Sequence, residues 1–188
     1  GFKLKLHADE IEPMAGAELA AELGAVSADH LVKISARGIR AMAKAGVIPV
    51  LLPATTFSLG EKDYAPARKM IEAGLPVALA TDCNPGTSMT ESMQFVLSIA
   101  CAQVRMTPAE AFTAATINAA YAVGRGDRVG SLEAGKAADF ILFDAPDETY
   151  VPYHMGVNHA ICVFKSGKAY AMSHDNGSGQ QTTEDSCR

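Results

Sequence analysis

Along the first two thirds of the chain, apolar positions switch back and forth between two periods. Residues 3–8 (KLKLHA) are strand-like, and 13–24 (PMAGAELAAELG), rich in Ala, Leu and Glu, predict a helix. Residues 25–31 (AVSADHL) predict a short strand ending at His30, and 32–46 repeat apolar residues at helical spacing. The apolar run 47–53 (VIPVLLP) predicts a strand stopped by Pro53. Next, 63–75 predicts a helix with Pro66 near its first turn, where proline is tolerated. Residues 77–82 (VALATD) predict a strand and 88–104 a helix. A last helix over 107–124 carries a Thr cap, a Pro at its first position and a Gly stop.

Four βα units in succession, with strands that are apolar throughout, are the pattern of a parallel sheet covered on both faces. The fold class is therefore α/β. Four units are too few to close an eight-stranded barrel, which takes about 250 residues. The chain also opens inside a strand-like segment without an initiator Met. It is expected to be the downstream part of something longer. After Gly124 the texture changes to short strand segments punctuated by Gly-Lys turns, a small β region over 125–172. Residues 173–188 are polar and rich in Gly, Ser and Gln, and are expected to form a flexible tail.

Composition narrows the function classes. The 188 residues are 48% hydrophobic and 20% charged, which is ordinary globular material. A net charge of −5 argues against nucleic acid as a partner, because a phosphate-binding surface needs clustered Lys and Arg. No apolar run approaches the roughly 18 residues of a membrane span. Cys83, Cys101, Cys162 and Cys187 show no paired spacing, so free thiols in a reducing, cytoplasmic compartment are expected. Met14, Met42, Met70 and Met93 lie on predicted helices and are expected to pack.

The candidate chemistry lies at strand ends. The first predicted strand ends in His7, with Asp9 and Glu10 just after it; the second ends in Asp29 and His30; the fourth ends in Asp82. The third, ending in LLPATT, offers no titratable group. Parallel neighbours put their carboxyl ends on one rim, so His7, Glu10, His30 and Asp82 are expected to converge. Imidazole and carboxylate together are the donors of a hydrolytic metal site. Singly, each has a plainer reading: His7 a structural histidine, Glu10 a solvated charge, His30 a partner of Asp29, Asp82 a turn former. Their shared position favours the site. His154, His159 and His174 lie outside these strand ends and are expected to be structural or surface residues.

The segments LHADE (6–10), SADHL (27–31), LLPATTFSL (51–59), ATDCNPGTS (80–88) and GSLEAGKAADFILFD (130–144), in this order, resemble the imidazolonepropionases of the metal-dependent amidohydrolase superfamily. The resemblance runs from about residue 3 to residue 170. The stretch G-x-L-x-x-G-K-x-A-D (130–139) is shared by many amidohydrolases, whereas TDCNPGTS (81–88) carries the narrower assignment.

The resemblance implies a (β/α)8 barrel with a small β-sandwich, binding one divalent metal, zinc or iron. Residues 1–124 would be the C-terminal half of the barrel, strands five to eight, and 125–172 a segment of the sandwich. By the match, His7 and Asp82 are metal ligands. Glu10 is similar to the acid that contacts substrate, and His30 to the histidine beside the catalytic water. Asn84, Gly86 and Thr87 are similar to residues that hold substrate or product. Asp82, His30 and Glu10 would carry the catalysis. The activity implied is hydrolysis of 4-imidazolone-5-propanoate to N-formimidoyl-L-glutamate, in the cytoplasm and as a homodimer. The family's H-x-H pair lies in its first half, and none occurs among these five histidines. The chain is therefore expected to need the missing half to hold metal tightly. A related deaminase acting on a heterocycle and a non-catalytic half-barrel remain alternative readings.

Overall fold

A computed structural model describes residues 2–171 of the protein. The expected tail, 173–188, lies outside the described residues. Four strands form one parallel sheet in sequence order: β1 (Lys5–Ala8), β2 (Ser27–His30), β3 (Ile48–Leu51) and β4 (Ala78–Leu79). The register sets His7 opposite Asp29 and Ala8 opposite His30. All four carboxyl ends accordingly open on one rim.

Between the strands run α1 (Gly16–Glu22), α2 (Ala36–Ala45), α3 (Pro53–Ser58) and α4 (Ala67–Glu72), followed by α5 (Met93–Ala102), α6 (Pro108–Thr113) and α7 (Ala119–Ala122). The elements are shorter than the hydrophobic pattern suggests because the caps are local. Ser35 Oγ accepts from the Gly38 N–H and starts α2, and Ser92 Oγ accepts from the Phe95 N–H and starts α5. Helix α3 is an addition to the sequence reading. Pro53 does end the strand, but it also occupies the first turn of a helix, where its missing N–H costs nothing.

The predicted helix over 107–124 starts as expected, with Thr107 and Glu110 forming a reciprocal capping box ahead of α6. Its middle widens into a π-helical turn at Ala114–Asn118, and Asn118 Nδ2 there donates to the Val77 carbonyl beside β4. Gly124, in left-handed conformation at φ 68°, follows the last turn.

The main core holds Ala28, Met42, Leu51, Met70 and Val96 among its buried members. A second buried cluster, Ile48, Val50, Leu52 and Ala78, is closed by Ala122 of α7. Alternate residues of β3 thus serve opposite faces, and the strand is buried along its whole length. Met42 and Met70 pack as expected, but Met14 is exposed, because it lies in the loop before α1.

The later residues form an antiparallel sheet of β5 (Phe140–Phe143), β6 (Ala160–Lys165) and β7 (Lys168–Ala171), with a short helix α8 (Tyr150–Tyr153) between the first two. Lys165 pairs with Lys168 across Ser166 and Gly167, both at positive φ, the two-residue hairpin whose twist suits antiparallel strands. Phe140 stacks on Phe164 across the sheet, centroids 4.2 Å apart. Gln94 of α5 joins this sheet to the helical body. Its amide nitrogen donates to Asn158 Oδ1 at 2.7 Å, and its oxygen accepts from the His159 N–H at 2.9 Å. Cys83 and Cys101 are free thiols as expected, whereas Cys162 is disulfide-bonded, which corrects the expectation for that residue.

Candidate metal centre and active site

The rim holds an unusual run of backbone conformations. Asp9, His30 and Asp82, each at or just after a strand end, have φ of 48°, 72° and 51°. Side chains rarely adopt this left-handed region, and Asp and His are among those that tolerate it best. Each such residue costs about 1–2 kcal/mol. Three on one rim mean that neighbouring bonds hold the turns in place, and strain of this kind gathers at functional sites.

Those bonds are visible. The buried Asp9 carboxylate accepts the Met14 and Gly16 N–H groups on Oδ1 and the Ala17 N–H on Oδ2, at 2.9–3.0 Å. It thereby closes the loop that carries Glu10 and caps α1, which has no side-chain cap of its own at Ala15. Sequence reasoning treated Asp9 as a neighbour of Glu10 and missed this role.

His7 Nδ1 lies 2.8 Å from His30 Nε2, and His30 Nδ1 lies 3.5 Å from Glu10 Oε1. Burial pushes the His30 imidazolium below its ordinary value, against the pull of Glu10 and Asp82 in the other direction. His30 is therefore neutral at pH 7. A carboxylate can only accept, so the neutral ring keeps its proton on Nδ1, facing Glu10, and accepts from His7 Nδ1–H at Nε2. His7 Nε2 is then the ring nitrogen left outside this pair. A histidine whose second ring nitrogen is tied by a hydrogen bond is the usual form of a metal-ligating histidine.

One ligand atom each from His7, Glu10 and His30 lies within 4.8 Å of the other two, and among the described residues no other group of three acidic, His or Cys side chains does this. Of the four residues expected to converge, the structure gathers these three. Asp82 reaches His30 through its charge. Its Oδ2 accepts the Thr55 hydroxyl at 2.7 Å. Thr55 was invisible to sequence reasoning because β3 ends without an ionisable group, and a hydroxyl gives no charge signal.

The loop after Asp82 is built around Asn84. Its Nδ2 donates to the Asp82 carbonyl at 2.7 Å and to Thr87 Oγ1 at 3.1 Å, while its Oδ1 accepts the Gly86 and Thr87 N–H groups at 2.9 Å. The Asn84 amide thus shapes the loop. Ser88 Oγ ties the loop's far end to the Thr81 carbonyl. Cys83 is exposed in this turn. His159 is buried against the ring of Tyr150, in keeping with a structural part, and His174 lies outside the described residues.

Residues 5–170 match the profile of the Amidohydrolase family. The chain belongs to the amidohydrolase family. It is 60% identical to imidazolonepropionase of Geobacillus kaustophilus over 168 residues, covering 89% of this chain and 39% of that protein. To imidazolonepropionase of Bacillus velezensis it is 57% identical, with 89% and 40% covered. The chain therefore spans about two fifths of the length of these curated relatives. Among solved structures it is similar to a 5-methylcytosine deaminase of Klebsiella pneumoniae, TM-score 0.75 at 18% identity over 91% of this chain and 48% of that one. It is also similar to a zinc-bound adenosine deaminase of Xanthomonas campestris, TM-score 0.70 at 24% identity over 89% and 45%. At these identities the structural likeness concerns the fold. Among the described residues no helix is long and apolar enough to cross a membrane.

Proposed function

We propose that this chain carries the C-terminal part of an imidazolonepropionase active site. The reaction is hydrolysis of the cyclic amide C–N bond of 4-imidazolone-5-propanoate to N-formimidoyl-L-glutamate, in cytoplasmic histidine degradation. One observation carries the reading: His7, Glu10 and His30 gather at the rim of the parallel sheet, in a chain 54–60% identical to imidazolonepropionases. In this reading 1–124 is half of a (β/α)8 barrel that the missing first half completes, 125–172 belongs to the sandwich, and the whole protein is a homodimer.

Imidazole nitrogen and carboxylate oxygen suit zinc or iron. His7, through Nε2, and Asp82 would hold the ion. Two ligands fall short of the three typical of a catalytic zinc site, which the H-x-H pair of the first half would complete. A bound ion of this kind supplies Lewis acidity, lowering the pKa of water from about 15.7 to about 7.

The chain's own residues do the rest. Asp82 accepts the proton of the attacking water and passes it to the ring nitrogen as the C–N bond breaks, so oxygen joins the carbonyl carbon and the nitrogen leaves protonated. Neutral His30 and Glu10 orient the water and the imidazolone ring. The loop of Asn84, Gly86 and Thr87 holds the polar substrate from the Asp82 side.

The test uses the protein expressed from its complete gene. Elemental analysis is expected to find zinc or iron, chelation to abolish formation of N-formimidoyl-L-glutamate, and the same metal to restore it. Full turnover by a metal-free preparation would sink the reading.

A further inference from the structure

Strand β3 brings no charge to the rim, yet the first turn of α3 brings a hydroxyl. Thr55 is 2% exposed, and its Oγ1 lies 2.7 Å from Asp82 Oδ2. A carboxylate has no proton to give, so the hydroxyl donates. The other polar groups of Thr55 are already used: its N–H donates to the Leu52 carbonyl, and its own carbonyl accepts from Leu59. Branching at Cβ stiffens χ1, so the hydroxyl has few alternative directions.

Asp82 needs such a hold. Its backbone lies in the left-handed region, and its carbonyl is tied by Asn84 Nδ2. With the carbonyl fixed and the backbone turned, the remaining freedom is rotation of the carboxylate. Thr55 removes it, and it does so from α3, an element separate from the loop that Asn84 organises.

We infer that Thr55 is a positioning residue for Asp82: it occupies Oδ2 and leaves Oδ1 as the oxygen available to a cation and to the reacting water. The inference rests on the proposed hydrolytic site and adds to it a division of labour between the two carboxylate oxygens. A carboxylate free to swing would present either oxygen, and its ligating geometry would no longer be set before the ion arrives. Partners of this kind behind a metal ligand are worth about 10–100-fold in metal affinity or activity.

Two substitutions separate donation from packing. Thr55→Val keeps the shape and removes the donor; Thr55→Ser keeps the donor and removes a methyl. In the protein expressed from its complete gene, zinc affinity is measured by chelator competition, with kcat, KM and thermal unfolding alongside. Thr55→Val is expected to weaken zinc binding and lower kcat by about 10–100-fold, with KM changed little. Thr55→Ser is expected to recover most of both losses. Where Thr55→Val fails to fold, Thr55→Ala removes the same donor without setting a methyl against the carboxylate and is read in the same way. A donor-free variant that binds zinc and turns over like its parent overturns the inference, as does a serine variant impaired as much as valine. A parent that neither binds zinc nor hydrolyses the imidazolone overturns the site reading itself, and the inference falls with it.

Discussion

His7 Nδ1 and His30 Nε2 stand 2.8 Å apart, joining the first two strands of the sheet through their side chains. The residues are 23 positions apart in sequence, and it is the parallel register, with Ala8 opposite His30, that brings them together. His30 is buried and His7 exposed, so the same pair has one ring anchored in protein and one turned towards the rim.

That asymmetry separates the roles of the two rings. His7→Ala removes the proposed ligand and is expected to abolish turnover and deplete bound metal together. His30→Asn removes a group that orients water, and is expected to lower kcat by about 10²–10⁴-fold with metal content largely kept. Kinetics and elemental analysis on the same preparations check both. Parallel loss of metal in the His30 variant would make that residue a ligand too.

Asp9 yields a prediction about stability. Three backbone N–H groups converge on its buried carboxylate, and Asp9→Ala leaves them unpaired. A cost of about 2–4 kcal/mol is expected, since orphaned buried donors and lost caps each count for about 1–2 kcal/mol and do not add fully. Asp9→Asn keeps one acceptor oxygen and should cost less. Urea unfolding midpoints of the two variants give the comparison; equal midpoints would mean that the acceptor oxygen kept by Asn contributes nothing.

Much of the site was readable because strands end where apolar runs end, and a His or Asp at that point stands out. Asp82 illustrates this: it closes VALATD and lies on the rim, although β4 pairs only over Ala78 and Leu79. Thr55 and Asp9 were not readable. A threonine behind Pro53 looks like loop chemistry, and an aspartate beside Glu10 looks like a second solvated charge. Their roles depend on which atoms the fold sets opposite them. The π-helical turn at Ala114–Asn118 left no mark either, because a run of Ala, Thr and Ile suits a normal turn equally well.

The pair between α4 and α6 predicts a pH dependence. Arg68 binds Glu110 with both terminal nitrogens, at 2.8 and 2.6 Å, and the Thr107 N–H donates to the same carboxylate. The Arg68 guanidinium, with the Thr107 N–H, holds the Glu110 carboxyl down from an ordinary 4.5 to about 2. A depressed carboxyl stabilises the fold fully above its unfolded pKa, and that contribution drains away as pH falls from about 4.5 towards 2. Glu110→Gln should therefore lower Tm at neutral pH by about 2–4 °C, a modest effect because solvent screens the pair. The gap between variant and parent should close on acidification towards pH 2. A gap that stays constant across that range would show that the ion pair is not its source.

Gly16 sets two opposing effects against each other. Replacing glycine by alanine in a helix usually stabilises it by about 1 kcal/mol. Here an added Cβ would lie 2.9 Å from Ala8 Cβ and 3.0 Å from Ala8 Cα, in the strand that carries His7. The obstacle is partly backbone, so a side-chain rotation cannot relieve it, and overpacking of this kind costs about 1–3 kcal/mol. The clash should outweigh the helix preference, giving a net loss. Because α1 must then move off β1, the Gly16 N–H bond to Asp9 Oδ1 stretches as well, and the loop holding Glu10 loosens. Gly16→Ala is accordingly expected to lower the urea midpoint and to reduce kcat, whereas Gly24→Ala, with open space around it, should leave kcat unaltered despite its strained φ. Unchanged stability in Gly16→Ala would mean that α1 is free to slide along the strand, and that the contact does not fix the Glu10 loop.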